Sequence, residues 1–569
     1  MSTELMRIGS ISLIILCVFS ALSGALVQGR FLGFKSISEL DDSLVYLWPL
    51  PSSFNYGNDT ISVDPDLSLE VGGSGGSSAI VSEAFQRCKE VMFKHSYRFS
   101  SLDSTRKGVY DINKIRIVVG SDNETLQLGV DESYSLYIAK ENGRSIIGEA
   151  TIEANTVYGA LHGLETFSQL CAFDYGTKTV QIYKAPWYIE DEPRFVFRGL
   201  LLDTSRHYLP MNVIKQVIES MSYAKLNVLH WHIIDEESFP LEVPTYPNLW
   251  KGAYTKWERY TVEDAYEIVE FAKMRGINVM AEIDVPGHAE SWGAGYPDLW
   301  PSPACREPLD VSKNFTFDVV SGILSDMRKI FPFELFHLGG DEVNTGLPML
   351  VFWSKTESYH AKTTKPDHSI NPGEWLDEHN MTTKDAYQYF VLRAQEIAIA
   401  KNWTPVNWEE TFNTFKENLN PRTVVHNWLG SGVCPQAVAK GFRCIFSNQG
   451  VWYLDHLDIP WEGFYKSEPV EGISDASEQK LVLGGEVCMW GETADASDIQ
   501  QTIWPRAAAA AERLWSRREA TSSENLSMTV LPRLEYFRCL LNRRGVPAAP
   551  VKNKYARKPP TGYGSCYDQ

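Results

Sequence analysis

The chain has 569 residues, 44% of them hydrophobic and 22% charged, which suits a two-domain globular protein with a sizeable core and excludes disorder or a multi-span membrane protein. A formal net charge of −19 repels polyanions, so nucleic acid and anionic membrane surfaces are excluded as partners.

Arg7 precedes a largely apolar run from Ile8 to Val18, and the small residues Ser23 and Ala25 follow. This predicts a cleaved signal peptide over residues 1–25 rather than an anchor helix, because Ser10, Ser12, Ser20, Ser23 and Gly24 interrupt the run. No membrane association is expected after cleavage, and the destination is a vacuole- or lysosome-like lumen or the cell exterior. Six N-x-S/T triplets, at Asn58, Asn123, Asn314, Asn380, Asn402 and Asn525, fit that route as glycosylated surface positions. Cys17 leaves with the signal; the other cysteines contain no C-x-x-C pair, which favours disulfides over zinc.

Residues 44–190 predict a small α+β domain, with helices over Ala79–Lys94 and Thr156–Leu170 and strands over Ile115–Val119 and Ser135–Ile138. The glycine-rich stretch Gly72–Ser78 lacks the Lys-Ser/Thr ending of a phosphate-binding loop and reads as a plain loop. From residue 191 to 569 short apolar runs alternate with amphipathic helices such as Met211–Lys225, Val262–Arg275 and Pro505–Ser516. The strand candidates are Val196–Leu202, Val228–Ile234, Asn278–Ile283, Glu334–Leu338, Thr404–Trp408, Val424–Trp428, Arg443–Ser447 and Val482–Val487. This pattern predicts an α/β fold, a (β/α)8 TIM barrel with a C-terminal extension.

Such a barrel carries its chemistry where the strands end, and polar residues collect there: Asp203, Arg206 and His207, then His232 and Asp235, Asp284 and His288, and Asp341 with Glu342. Aromatic residues close the later strands. The run Phe336–Glu342 reads as a strand entering two glycines and two acids. Neighbours on an extended strand point to opposite faces, so these acids would not flank a glycosidic bond as a spaced acid and nucleophile. If Glu342 protonates a leaving oxygen, Asp341 is free to grip a substrate group that itself attacks the anomeric carbon.

The motifs Arg198–His207, His230-Trp231-His232, Pro286-Gly287-His288, His337–Glu342 and Met489–Glu492 make the sequence resemble glycoside hydrolase family 20, the β-N-acetylhexosaminidases, and most of all the plant vacuolar members. The resemblance covers nearly the whole mature chain. It implies a retaining exo-glycosidase that releases terminal β-linked N-acetylglucosamine or N-acetylgalactosamine from N-glycans or chito-oligosaccharides by substrate-assisted catalysis. Glu342 would be acid and then base, Asp341 would orient the 2-acetamido group, and Tyr453 would donate to its oxygen. Trp408, Trp428, Trp452 and Trp490 would line the sugar pocket. Arg198, Asp235 and Glu492 would hold the 3- and 4-hydroxyls and Asp455 the 6-hydroxyl, with His288 supporting the acids. The resemblance implies no cofactor and no metal, pairs Cys539 with Cys566, and allows a homodimer.

After Thr345 the sequence departs from the family pattern, which continues with Cys-Trp; residues 346–374 read as an insert, and Cys305 is expected to lose its partner. Two other readings compete. A degenerate carbohydrate-binding barrel would have lost its acids, which are present. A metal-dependent barrel hydrolase could open with His230-x-His232, but it needs later ligands, and His337 and His426 sit in no recognisable ligand motif.

Overall fold

The computed structural model describes residues 43–94, 110–139, 148–345, 372–522 and 525–552. The first part is a six-stranded sheet of β1 (Ser53–Gly72), β2 (Ile112–Val119), β3 (Tyr134–Ile138), β4 (Glu149–Ala154), β5 (Cys171–Asp174) and β6 (Thr179–Asp191). Their order is β1-β2-β4-β3-β6-β5, and β6 also pairs with β1. Burial alternates along β2, and the helices Ala79–Phe93 and Val157–Leu170 bury their apolar faces in the same core cluster. Ser78 and Thr156 cap those helices by accepting from Ile80 N and Gly159 N. The long strands β1 and β6 escape sequence reading. Asp59, Asp64, Pro65 and Asp66 break the apolar alternation of β1, and its register shifts there.

The second part is a closed parallel barrel of β7 (Phe197–Asp203), β8 (Val228–Ile234), β9 (Asn278–Ile283), β10 (Leu335–His337), β11 (Thr404–Trp408), β12 (Val424–His426), β13 (Arg443–Phe446) and β14 (Val482–Met489). All eight coincide with the expected apolar runs, several ending one or two residues from the expected limits. Crossover helices cover the barrel, so β7, β8, β9 and β14 are buried at every position and read as continuous rather than alternating apolar runs. Side chains fill the interior in layers. Phe197, Val228, Met280, Leu335, Val406, Val424, Ile445 and Leu483 close one end. Two residues further along their strands come His230, Glu282, His337 and His426, and beyond them Leu201, Trp408, Tyr453 and Cys488.

The two parts are tied by buried ion pairs. Arg198 Nη1 lies 3.0 Å from Glu132 Oε2, its other nitrogens donate to Lys225 O and Glu132 Oε1, and its guanidinium lies 4.9 Å from the Trp515 ring. Lys225 Nζ meets Asp191 at 2.9 Å. Arg198 is therefore not a sugar-hydroxyl ligand as expected: it sits at the N-terminal end of β7, fully buried, with its donors taken.

Cys434 and Cys444 form a disulfide that the sequence left unassigned. Cys539 is disulfide-bonded, and Cys566, its expected partner, lies outside the described residues. Cys305 is a free thiol donating to Glu307 O at 3.3 Å; most of the insert, 346–371, is outside the described residues. All six candidate glycosylation asparagines are exposed, and no described helix is long and apolar enough to cross a membrane.

Candidate active site

The turn after β10 lies at the centre of the barrel's C-terminal end. Gly339 and Gly340 leave the strand with φ of +59° and +98°. A Cβ on Gly339 would lie 1.8 Å from Asp284 Oδ1, so only glycine fits there. Glu342 holds φ +50°, a left-handed conformation costing a non-glycine residue about 1–3 kcal/mol. This corrects the expectation of two acids on opposite faces of a strand. β10 stops at His337, and the turn brings both acids to one imidazole, with His288 Nε2 3.4 Å from Glu342 Oε2 and 3.9 Å from Asp341 Oδ2.

His288 is fixed from behind, its Nδ1 lying 3.0 Å from Asp235 Oδ1. The other Asp235 oxygen takes His232 Nε2 at 2.7 Å and Arg206 Nη2 at 2.8 Å. Asp235 is 0% exposed with both oxygens engaged, so it orients His288 and does not hold a sugar hydroxyl, a second correction. Arg206 occupies the wall above it. Its guanidinium lies 5.3 Å from the Trp490 ring, pairs with Asp203, Asp235 and Glu237, and feels the charge of Glu492.

Burial would lower the His288 pKa, but Asp284, Asp235, Glu342 and Asp341 outweigh it and raise it far above the ordinary value. The hydrogen bond from His288 in turn holds the Glu342 carboxyl below the usual range. Burial and the neighbouring Asp341 push Asp284 well up, and burial also raises Asp341. Asp284 is the member of this pair that keeps the proton, which leaves Asp341 the charge.

Trp408 ends β11 with Nε1 donating to Glu282 Oε1 at 3.1 Å. Trp428, two residues past β12, donates Nε1 to the Glu410 oxygens at 2.8 and 3.0 Å, and burial plus Asp341 push Glu410 up to about 8. Trp490 lies 6.0 Å from Trp408 and 6.1 Å from Tyr453, and the three indoles and Tyr453 share one apolar cluster. Burial and the nearby Glu492 push Asp455 up to about 6, against the opposing His456. Glu492 is exposed on the turn after β14. Trp452 does not join them. It is fully buried, with Nε1 donating to Phe464 O at 3.0 Å and its ring edge-on to Phe446, so it packs the barrel wall rather than the pocket.

Asp341 Oδ1, Asp455 Oδ1 and Trp490 Nε1 are buried without a hydrogen-bond partner in the protein, as polar atoms meant for a ligand are. Beneath them His230, of the His230-x-His232 pair, and His337 and His426, which the sequence left without a ligand motif, converge with Glu282 and Glu486. Donor atoms of His230, His426 and Glu486, and of His230, Glu282 and His337, fall within 4.8 Å of one another. Sequence reading placed Arg206 and Asp284 among the polar residues at the strand ends without a specific role, and did not single out Glu282. The available signal was a lone acid inside an apolar barrel strand, Asn-Val-Met-Ala-Glu282-Ile, which must be paired wherever both strand faces are buried.

The family profile described as "Glycosyl hydrolase family 20, catalytic domain" matches residues 195–518. The chain belongs to that family. It is a glycosidase, and a second profile, "beta-acetyl hexosaminidase like", matches residues 47–170. Beta-hexosaminidase 1 of Arabidopsis thaliana is 70% identical over 93% of this chain and 95% of its own length. The beta subunit of Rattus norvegicus beta-hexosaminidase is 33% identical over 90% of this chain and 92% of its own. A solved chitobiase of Flavobacterium johnsoniae superposes with a TM-score of 0.73 at 27% identity, covering 89% of this chain and 73% of that one. Asp235 stands behind His288, whereas Arg198 and Trp452 lie away from the acids.

Proposed function

We propose that this family 20 glycosidase is a retaining exo-β-N-acetylhexosaminidase whose nucleophile is the substrate's own acetamido oxygen. The observation that carries this is Asp341: its Oδ1 is buried and unbonded, beside a second acid facing the same histidine. An acetamido N–H laid on Asp341 Oδ1, with its oxygen accepting from the Tyr453 hydroxyl, turns that oxygen toward C1. Glu342 gives its proton to the glycosidic oxygen as the C1–O bond breaks and the acetamido oxygen bonds to C1. The carboxylate of Asp341 balances the positive charge of the resulting oxazolinium. Glu342 then takes a proton from water as the water oxygen attacks C1 and reopens the ring, returning the original anomeric configuration. A tethered nucleophile of this kind has an effective molarity of about 10⁵–10⁸ M.

Trp408, Trp428 and Trp490 offer apolar faces to the sugar and its methyl group. Arg206 and Glu492 would hold the 3- and 4-hydroxyls and Asp455 the 6-hydroxyl. In the free enzyme Glu342 is 60% exposed and its pKa is lowered. A bound sugar removes that water and raises the carboxyl toward the protonated state that an acid needs. N-glycans or chito-oligosaccharides ending in β-linked N-acetylglucosamine or N-acetylgalactosamine are the substrates we assign. The apolar N-terminal run, read as a signal peptide, and six exposed acceptor asparagines support a route through the secretory pathway.

The test compares leaving groups. Glu342→Gln is expected to lower kcat/KM about 10²–10⁴-fold on methyl N-acetyl-β-D-glucosaminide and far less on the nitrophenyl glycoside, whose leaving group needs little protonation. Equal losses on both, or an α-anomer as first product by NMR, would sink the mechanism.

A further inference from the structure

Behind the catalytic pair a row of alternating carboxylates and imidazoles runs from the barrel axis to the acid. It passes from Glu486 Oε1 to His230 Nδ1 at 2.8 Å and from His230 Nε2 to Glu282 Oε2 at 3.0 Å. From Glu282 Oε2 it reaches His232 Nδ1 at 2.5 Å, and from His232 Nε2 it reaches Asp235 Oδ2 at 2.7 Å. Asp235 Oδ1 then meets His288 Nδ1 at 3.0 Å, and His288 Nε2 meets Glu342 Oε2 at 3.4 Å. The first five of these residues are 0–1% exposed. Glu282 is the branch point. Its other oxygen accepts from Trp408 Nε1 at 3.1 Å and lies 2.8 Å from His337 Nδ1.

We propose that Glu282 is a positioning residue for the reaction, fixing Trp408 beneath the sugar and, through His232, Asp235 and His288, the acid Glu342. The inference rests on Glu342 being that acid. His232 stands between two carboxylates with both ring nitrogens hydrogen-bonded, to Glu282 and to Asp235, so the direction set at Glu282 is carried to Asp235. In a buried row a change of charge at one link is felt at its neighbours with little screening. Glu282 is faced by His230 and His232 of β8, His337 of β10 and Trp408 of β11. Asp235 is faced by Arg206, His232 and His288, and His288 also feels Asp284, Asp341 and Glu342.

The signs follow from charge. Glu282→Gln removes a negative charge from the row, favours the Glu342 carboxylate, and moves the basic limb of kcat to lower pH. His232→Gln removes a positive charge and moves it to higher pH. The experiment measures kcat and KM against pH for wild type, both variants and Glu342→Gln on methyl N-acetyl-β-D-glucosaminide. Opposite shifts, with kcat for Glu282→Gln down about 10–100-fold and changed more than KM, are expected. An unmoved limb in both variants, or shifts of the same sign, overturns the proposal, since packing loss alone lowers rate without opposite shifts. Wild-type speed in Glu342→Gln would instead refute the acid assignment. If neither row variant folds, histidine C2–H exchange in the wild type, read by mass spectrometry, decides. The peptide carrying His230 and His232 should titrate near 9–10, as burial opposed by Glu486, Glu282 and Asp235 dictates, and titration near the ordinary ~6.5 overturns the row.

Discussion

Carboxyl groups of one chemical type are set to different tasks here by their surroundings. Glu342 is exposed and held low by His288, whereas Glu410 and Asp455 are pushed up to about 8 and about 6, burial being the main cause for each. Because kcat/KM reports the free enzyme and kcat the complex, the basic limb of kcat is expected at higher pH than that of kcat/KM. Coincident limbs would show that the sugar does not desolvate Glu342. Asp455 yields a substrate prediction. Above pH about 6 it is an anion and repels a 6-sulfate; below it is neutral. The ratio of kcat/KM for 6-sulfated over unsulfated N-acetyl-β-D-glucosaminide should therefore rise as pH falls through about 6, and a flat ratio would remove Asp455 from the 6-hydroxyl.

At the two ends of one element, β7, two arginines of one motif have opposite fates. Arg198 lies at the N-terminal end, where it neutralises Glu132, and Arg206 follows the C-terminal end, on the order of 20 Å away at ~3.3 Å per strand residue. Truncating Arg198 to alanine takes the guanidinium from buried Glu132 and leaves it only His162 and Asn227, so a loss of about 3–5 kcal/mol in urea unfolding is expected, with KM of the folded enzyme unchanged. A raised KM would restore it as a sugar ligand. The pH signature is also defined. Burial raises the Glu132 pKa, but Arg198 and His162 override it and bring it down to about 2 from the ordinary 4.5. Its stabilisation is thus complete above about 4.5 and is lost as pH falls toward 2, and that acid-side loss should be smaller in the variant, where His162 alone is left to hold the carboxyl down. Arg206→Ala should differ by raising KM, and because it also withdraws a cation from buried Asp203 and Asp235 it should lower the unfolding midpoint as well.

Across the whole molecule, sequence reading was strongest where structure is local. The eight barrel strands were legible because each is a short apolar run between amphipathic helices, and the acids because the Gly-Gly-Asp-Glu turn is contiguous. β1 and β6 were not, since where they pair with each other the partners are more than a hundred residues apart, and both strands carry acids and prolines. Among the tryptophans, adjacency misled: Trp452 and Tyr453 are neighbours in sequence, yet one packs outward into the barrel wall and the other faces the pocket. By itself the sequence determined the family, the barrel and the paired acids, for motifs and strand patterns are properties of consecutive residues. Only the tertiary structure decided which arginine meets the site, that Asp235 stands behind His288, and that Glu282 joins the pocket floor to the acid. Those are relations between strands, and they exist only once the barrel has closed and buried charges must find partners.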